Sequence, residues 1–201
     1  GPRLLLPDGS PYASATRFPT AVMILLYETR LNRLIPRSRW LYPYRARFEG
    51  GQPFPVDAVE GSCLPTRRAI WHQVGGFDGR YFCGVEELAY AWKVTRAGYG
   101  VWVHPEPGMI HHHSGSTGGK RRGTLIRLSV TLGFLHFMQA NRPTSLTWLR
   151  LPLLAIWLLK WALCRALGKS EHRVMLREGM RALIGLRPAW ITVEDRARWG
   201  A

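Results

Sequence analysis

The spacing of apolar residues indicates short mixed elements in the first 119 residues and long helices after them. Apolar residues recur every three or four positions over 21–35 and 85–97, which predicts a helix in each stretch. A shorter helix is predicted over 67–74, because Gly75 and Gly76 stop the pattern. Short strands are predicted over 57–66, 100–104 and 108–113. The first part of the chain therefore combines strands with short helices.

Two stretches of the first part have no periodic pattern. Residues 1–20 are predicted as loop, with a turn at Pro7-Asp8-Gly9-Ser10, since Asp bonds its own backbone and Gly accepts a positive φ. Residues 36–56 are rich in Arg, Tyr, Pro and Gly and are predicted as a long irregular loop. A flexible basic link is predicted over 114–123, and three helices over 124–140, 145–167 and 171–186.

Composition places the chain among folded proteins. Apolar residues make up 46% of the 201 residues and charged residues 20%, which argues against global disorder. The three cysteines, Cys63, Cys83 and Cys164, are odd in number and far apart, which argues against a disulfide framework or a zinc knuckle and for a reducing compartment. No leader pattern is visible, and we expect the chain to be a piece of a longer protein.

The charge is uneven and points to an anionic partner. The formal net charge is +15, of which residues 1–119 carry +4 and residues 120–201 carry +11. Such a tail would bind either anionic lipid or nucleic acid. The stretch 146–167 has three tryptophans in a nearly continuous apolar background, which is typical of a helix at a bilayer surface. Because no nucleic-acid motif is present, we expect no nucleic-acid partner.

A helix over 146–167 would be about 33 Å long, which is just enough to cross a bilayer. Arg150 and Lys160 interrupt the apolar run, and Pro152 fits only near a first helical turn. We therefore favour a helix in the plane of the membrane over a spanning one, with residues 120–187 as the surface that contacts anionic lipid. The alternative is a helical hairpin packed on the rest of the protein or on another subunit.

The residues with the clearest catalytic potential open the helix predicted over 85–97. Glu86 and Glu87 follow the Gly75-Gly76-Phe77-Asp78 turn and Tyr81-Phe82. A carboxylate aimed into a cleft from a helix start can accept the proton of an attacking hydroxyl. Acidic residues in a first turn also favour the helix dipole without any further role. The spacing leaves both interpretations open.

Two other groups of side chains have the chemistry to bind a metal ion or a phosphate. His111, His112 and His113 offer imidazole ligands for a divalent metal, and alternation along a strand would put His111 and His113 on one face. The alternative is a solvated strand end. Arg67 and Arg68 have the chemistry to bind a phosphate, but a pair of solvated charges at a helix start is favoured.

The order of the motifs over residues 1–118 resembles the C-terminal half of family 2 glycosyltransferases, especially their bacterial rhamnosyltransferase-like branch. The residues that carry the resemblance are Pro2-Arg3-Leu4, Pro7-Asp8-Gly9-Ser10, Arg17-Phe18-Pro19-Thr20, Val59-Glu60-Gly61-Ser62-Cys63-Leu64, Arg67-Arg68, Val74-Gly75-Gly76-Phe77-Asp78, Tyr81-Phe82, Glu86-Glu87, Arg96-Ala97-Gly98-Tyr99, Val101, Pro105, His111 and Ser116-Thr117.

The resemblance implies an α/β fold: part of an A-type glycosyltransferase fold, the C-terminal half of its mixed sheet, followed by an α-helical tail. Residues 1–118 would form the acceptor side of the catalytic domain and 119–201 the basic, membrane-associated tail. The N-terminal half, with the nucleotide pocket and an Asp-x-Asp metal motif, would lie outside this sequence. Glu87 matches the family's general base, which is usually Asp, and Glu86 the residue before it. Asp78 and Glu86 would contact the acceptor, and His111 a metal ion or the donor diphosphate.

The implied reaction is an inverting transfer of a sugar from a nucleotide-sugar donor to a lipid-linked or polysaccharide acceptor in cell-envelope glycan synthesis. It implies Mg²⁺ or Mn²⁺ as cofactor and a location in the bacterial cytoplasm, at the inner face of the cell membrane. The 201 residues alone are expected to be inactive. Where the family has Asp and Arg, two and six residues after the base, this chain has Ala89 and Lys93. The alternative hypothesis is therefore a catalytically degenerate or truncated homologue that binds membrane or a partner.

Overall fold

The computed structural model describes residues 1–12, 14–36, 38–112 and 120–199. They form two compact units, each built from several stretches of the chain. The first unit contains Gly1–Phe18, Ile35–Asp78 and the described part of 86–116. The second unit contains Pro19–Leu34, Gly79–Val85 and the described part of 117–201.

The first unit is built around a small mixed sheet. The strands of this unit are β1 (Pro2–Leu5), β2 (Ala15–Thr16), β3 (Phe54–Val56), β4 (Ala58–Val59) and β5 (Val101–Ile110). Strand β5 lies in the middle, parallel to β1 on one side and antiparallel to β3 on the other. A separate antiparallel pair is formed by β2 and β4.

The central strand β5 contains two prolines, which the chain accommodates by interrupting one ladder. Pro2 pairs with His104, but the next residue, Arg3, pairs with Gly108. Pro105 and Pro107 therefore fall in the irregular stretch between these two pairs. Since proline has no N–H to donate, a bulge is where a strand tolerates it.

Two helices belong to the first unit, α2 (Arg68–Val74) and α3 (Glu86–Arg96). Helix α3 buries one face through Leu88, Ala89, Tyr90, Ala91 and Val94. Phe54, Val56, Val59 and Val103 form a buried core cluster of the sheet region. Short 3₁₀ turns over Arg45–Gly50 and Gly61–Cys63 complete the unit.

The turn after α2 requires glycine at two consecutive positions. Gly75 caps α2 with φ +74°, and its N–H donates to the carbonyl of His72. Gly76 follows with φ +56°, and a Cβ there would lie 2.8 Å from the indole ring of Trp71. Only glycine combines a positive φ with so close an approach. The indole also packs against Phe77 and Tyr90, with ring centroids 5.0 and 5.1 Å away.

The second unit is helical. Its helices are α1 (Ala21–Thr29), α4 (Lys120–Asn141), α5 (Pro143–Ala166), α6 (Ser170–Leu183) and α7 (Val193–Trp199), and a 3₁₀ turn over Leu31–Leu34 follows α1. Side chains of α4, α5 and α6 fill its interior, and the fully buried ones include Leu125, Leu128, Leu132, Phe137, Met138, Leu146, Leu149, Leu153 and Leu183. Burial of this leucine-rich face is the main stabilising term of the unit.

A buried ionic cluster connects α6 to the start of α7. The guanidinium of Arg187 donates to Glu178 at 3.0 Å and to Asp195 at 2.5 Å. The Asp195 carboxylate also accepts from the backbone N–H of Thr192, which caps α7. Because each carboxylate has several donors, both charges are compensated away from water.

The structure confirms the helices predicted over 67–74 and 85–97, which are α2 and α3. The three tail helices are also confirmed, as α4, α5 and α6, although α4 begins at Lys120, inside the predicted link. The helix predicted over 21–35 is shorter and ends at Thr29.

Other sequence-based expectations were wrong. Residues 1–20 contain β1 and β2 rather than loop alone, and 36–56 contain a 3₁₀ turn and β3. The strands predicted over 100–104 and 108–113 are a single strand, β5, because the bulge admits both prolines. Pro152 lies well inside α5 rather than in its first turn. The predicted α/β class is confirmed, and the mixed sheet with its helices is compatible with part of a glycosyltransferase fold.

Candidate active site

The candidate site lies at the start of α3, in the first unit. Helix α3 opens with Glu86 and Glu87 and has Lys93 and Arg96 in its last turn. This charge distribution matches the helix dipole, which favours anions at the N-terminus and cations at the C-terminus. Dipole compensation therefore explains why carboxylates are tolerated at this helix start. Whether Glu86 or Glu87 can also act as an acid or base depends on the surroundings of each side chain.

The side chain of Glu87 packs against the backbone of the 3₁₀ turn at Gly61. A Cβ added at Gly61 would lie 3.4 Å from Cβ of Glu87 and 3.6 Å from its Oε2. Glycine at 61 therefore leaves a small space directly beside the carboxylate. This arrangement keeps Glu87 only partly accessible to solvent.

The environment of Glu87 disfavours its ionised form. Burial raises the pKa of Glu87 to about 7, and the neighbouring charges of Glu86 and, more weakly, Glu60 act in the same direction. A buried carboxylate close to like charges holds its proton more tightly because water and counter-charges are missing. A base whose pKa lies near neutral pH can take a proton from a hydroxyl and is still ionised in much of the population.

Tyr12 links this acidic group to the candidate histidine. Burial raises the pKa of the Tyr12 phenol, and the charges of Glu60 and Glu87 add to the effect. The ring of Tyr12 lies 5.1 Å from the imidazole of His111, centroid to centroid, at an angle of 49°. Glu87, Glu60, Tyr12 and His111 therefore form one neighbourhood of the first unit.

The sheet explains how His111 reaches this position. Its backbone N–H donates to the carbonyl of Leu5 at 2.7 Å, which extends the pairing of β1 with β5 by one residue. The carboxyl ends of neighbouring parallel strands meet at the same edge of a sheet, the edge at which α/β proteins build ligand sites. His112 is exposed, and His113, which the alternation argument placed beside His111, lies outside the described residues.

The other predicted site residues have clear positions but untested roles. Glu86 is half-buried beside Glu87, and Asp78 is half-buried just after the Gly75–Gly76 turn. The ammonium of Lys93 donates to the carbonyl of Gly76 at 2.5 Å, which ties this turn to α3. The contact of Asp78 and Glu86 with an acceptor stays a prediction.

The described residues around Glu87 and His111 do not provide a complete set of ligands for a divalent cation. Among the described residues, no cluster of three or more His, Cys, Asp or Glu side chains is arranged to hold a metal ion. His111 can supply one imidazole donor, which Mg²⁺ and Mn²⁺ sites need to complement with oxygen ligands. The side chains that the structure describes therefore do not by themselves fit the predicted ion.

A cavity of about 390 Å³ lies elsewhere in the first unit, and Glu87 and His111 are outside its lining. It is bordered by Thr66 and Arg67 and by the aromatic rings of Tyr90, Tyr99 and Trp102. Arg67 itself is exposed, as expected for a solvated charge at a helix start. The cavity is thus a feature separate from the acidic neighbourhood.

Tyr12 and Glu60 are members of the neighbourhood that no sequence pattern identifies as site residues. Tyr12 lies in a stretch predicted as loop. Its backbone N–H donates to the carbonyl of Leu4 in β1, and the pairing of β1 with β5 then brings it to His111. Glu60 belongs to the motif Val59-Glu60-Gly61-Ser62-Cys63-Leu64 that contributes to the family resemblance. A signal exists for Glu60, since it directly precedes Gly61 within the strand predicted over 57–66. That strand prediction was wrong in length: only Ala58–Val59 is strand, and Gly61–Cys63 is a 3₁₀ turn.

Comparison with known proteins gives an independent line of evidence. The chain is similar to the N-acetylglucosaminyl-diphospho-decaprenol L-rhamnosyltransferases of two Mycobacterium tuberculosis strains, CDC 1551 / Oshkosh and ATCC 25618 / H37Rv. It is 32% identical to each over 181 residues, which is 90% of this chain and 55% of the relative. The chain thus spans about half the length of the curated relatives it matches. No protein-family profile and no solved structure matches it. The similarity supports a relationship between this chain and glycosyltransferases.

Proposed function

We propose that this chain is the acceptor-side part of a family 2 glycosyltransferase that works in cell-envelope glycan synthesis. The observation that carries the proposal is the half-buried carboxyl of Glu87, with a pKa of about 7, at the start of α3. The proposal is also supported by similarity to known proteins. The chain is 32% identical to proteins named as L-rhamnosyltransferases that act on a lipid-linked N-acetylglucosaminyl diphosphate. The transferred sugar is proposed to be a hexosyl or rhamnosyl group.

In the proposed mechanism Glu87 is the general base. Its carboxylate takes the proton of the acceptor hydroxyl as the hydroxyl oxygen attacks the anomeric carbon of the donor sugar. The bond from that carbon to the diphosphate oxygen breaks on the opposite face, so the configuration inverts and a nucleoside diphosphate leaves with the bonding electrons. Positioned general bases of this kind contribute about 10²–10⁴-fold in rate.

The proposed roles of the other site residues and of the tail rest on where they lie relative to Glu87 and on the family resemblance. Asp78 and Glu86 are proposed to bind hydroxyls of the acceptor. The nucleotide-sugar pocket is proposed to be formed by a segment that corresponds to the other half of the relatives. A divalent cation, Mg²⁺ or Mn²⁺, would screen the leaving diphosphate there, with His111 as a donor from this chain. The working location would be the cytoplasmic face of a bacterial membrane, to which the basic tail would bind peripherally.

The proposal is tested in the longest natural chain that contains these residues, with a nucleoside diphosphate L-rhamnose as donor and a short polyprenyl diphosphate N-acetylglucosamine as acceptor. We expect Glu87→Gln to lower the transfer rate by at least about 100-fold while donor affinity stays unchanged. Glu106→Gln, at an exposed carboxylate of β5, is the matched control and should transfer normally. The wild-type rate should rise with pH through about 7, because the base must lose its proton. Undiminished transfer by Glu87→Gln would reject the assignment.

A degenerate homologue that binds a membrane or partner is the second candidate, and two positions favour it. Ala89 is buried against the first unit, and Lys93 is occupied with the Gly76 carbonyl. Neither side chain supplies the carboxylate or guanidinium expected at these positions from the family resemblance. This candidate predicts that the same chain shows no transfer with any donor while it still binds lipid vesicles. Measured turnover above the uncatalysed rate would exclude it.

A further inference from the structure

Helix α5 presents apolar residues on two opposite sides, and only one side is buried. Leu146, Leu149, Leu153 and Trp157 face the interior of the second unit. On the opposite side the side chains are open to solvent, and Trp148 is 80% exposed. A helix that is apolar all round is normally enclosed by protein or in contact with lipid. Only 22% of the most apolar window of α5 is buried in the protein.

The exposed side is a continuous band. Successive residues of a helix turn by about 100°, which places the following residues on one face. We call them the α5 stripe: Trp148, Leu151, Pro152, Ala155, Leu158, Leu159, Ala162, Leu163 and Ala166. None of its members carries a charge. Leu151 and Leu159 are 78% and 74% exposed, and the stripe runs for about 27 Å along the helix at about 1.5 Å per residue.

A basic side chain borders the stripe on one flank. The same helical rotation places Arg165 beside the stripe, whereas Lys160 falls on the packed side of the helix, between Leu149 and Leu153. Lys160 forms an ion pair with Glu28 of α1 at 2.5 Å. The guanidinium of Arg165 lies over the ring of Trp161, 5.9 Å from its centroid. An apolar band with a cationic border on one flank has the chemistry of a helix that lies in a membrane interface.

The surface charge of the second unit identifies the partner. Of its acidic residues, Glu178 and Asp195 are buried with Arg187, Glu28 is paired with Lys160 and Glu171 accepts from Thr124, while Glu194 is exposed. Many of its basic residues are exposed: Arg30, Arg33, Arg127, Arg150, Arg165, Lys169, Arg177 and Arg181. This surface attracts anionic lipid head groups. It disfavours a second copy of the same chain, because two such surfaces repel each other.

We propose that the α5 stripe inserts into one leaflet of a bilayer that contains anionic lipid, with α5 lying parallel to the membrane plane. The stripe covers only one side of the helix, and the other side is already packed against α4 and α6. A spanning helix would also have to carry Arg150 and Lys160 across the hydrocarbon, which is costly. The inference rests on the peripheral location in the proposed function, and it is tested by binding rather than by sugar transfer, so that each can fail separately.

The test measures the partition of the full 201-residue chain onto vesicles by co-sedimentation. The vesicles are phosphatidylcholine alone, or phosphatidylcholine with phosphatidylglycerol. The stripe variant is Leu151→Gln with Leu159→Gln. The matched control is Leu186→Gln with Val193→Gln, which replaces residues of the same unit that are 67% and 82% exposed but lie outside α5. Because all four side chains are open to solvent, both variants should fold, which circular dichroism verifies.

We expect the stripe variant to bind anionic vesicles at least about 30-fold more weakly than the wild type, since two leucines no longer enter the leaflet. The control should bind like the wild type. Wild-type binding should be at least about 10-fold weaker on phosphatidylcholine alone, because the basic surface then has no anionic lipid to meet. Equal binding by stripe variant and wild type overturns the proposal. So does wild-type dimerisation that the stripe variant abolishes while vesicle binding stays the same.

Depth distinguishes an in-plane helix from a spanning one. Trp148 fluorescence is obtained as the difference between the wild type and Trp148→Phe, in vesicles whose lipids carry bromine at a known depth. We expect stronger quenching by lipids brominated near the head group than by lipids brominated near the end of the chain. The reverse order would overturn the in-plane orientation.

Discussion

Replacing Glu87 by Gln should stabilise the folded chain at pH 8 and leave its stability at pH 4 unchanged. Glu87 has a pKa of about 7 in the folded chain, against 4.5 for an ordinary glutamate. Since one pKa unit corresponds to about 1.4 kcal/mol, the ionised carboxylate costs about 3 kcal/mol of unfolding free energy. Gln has nearly the same shape and no charge, so it removes this cost.

The direction of the pH dependence follows from proton binding. Between pH 4.5 and 7 the folded chain holds the Glu87 proton and the unfolded chain has released it. The unfolding free energy contributed by this group therefore falls as the pH rises through that window. Below the window both states are protonated and the wild type and Glu87→Gln should be equally stable. Above pH 7 the full difference of about 3 kcal/mol should be present.

The assay must report on the first unit, because the two units need not unfold together. Hydrogen exchange along a urea series, read on peptides from α3, gives the unfolding free energy of the unit that contains Glu87. Subtracting Glu87→Gln from the wild type at each pH cancels the other titrating groups. Glu106→Gln is the control, since its exposed carboxylate should show no such difference. A difference between wild type and Glu87→Gln that is independent of pH would refute the assigned environment.

Replacing the neighbouring carboxylate, Glu86, tests what raises the pKa of Glu87. Burial is the leading contribution to the raised pKa of Glu87, and the charge of Glu86 comes second. Glu86→Gln should therefore lower the pKa of Glu87 without restoring it to 4.5. Carbon-13 NMR of labelled glutamate side chains measures that midpoint directly. A midpoint that does not move would show that the two carboxylates are uncoupled.

Three further substitutions test the packing. Gly76→Ala should destabilise the first unit by about 1–3 kcal/mol, because it adds a Cβ against Trp71 at a positive φ, and urea denaturation read on α3 peptides should show the loss. Arg187→Met should cost the second unit about 3–5 kcal/mol, since two buried carboxylates lose their cation, and its thermal midpoint should fall. Ser129→Ala should cost about 1–3 kcal/mol, because the hydroxyl satisfies both the N–H and the carbonyl of Cys83; unchanged denaturation curves would contradict these bonds.

The elements that could be predicted from sequence are those whose own pattern decides them. Helices α2 and α3 and the tail helices have apolar residues at helical spacing, and α2 has a glycine stop. Strand β1 has only four residues, and nothing local separates it from the loop that follows. Helix α7 is mostly polar and depends on the ion pair between Asp195 and Arg187, which is a tertiary contact. Patterns along the chain do not show such partners.

The same division holds for the candidate site. Glu86 and Glu87 could be found because a helix start after a glycine turn is a local signal. Their surroundings could not, because Tyr12 reaches His111 through its bond to Leu4 and through the parallel pairing of β1 with β5, strands about a hundred residues apart. The raised pKa of Glu87 likewise depends on Gly61 and Glu60, which belong to another segment. Electrostatic character is set by burial and neighbours, and both come from the tertiary fold.

Ala89 and Lys93, the two positions that favour a degenerate homologue, also have structural roles in this chain. Ala89 lies on the buried face of α3, where an unpartnered aspartate would be costly. Lys93 lies one turn later and holds the Gly76 carbonyl, so its charge fixes the turn that precedes Asp78. These residues stabilise the scaffold around α3, and the carboxyl at position 87 is half-buried with a pKa raised to about 7. The choice between an enzyme and a degenerate homologue therefore depends on Glu87 and on the donor side of the site, and transfer by the Glu87→Gln variant decides the first of these.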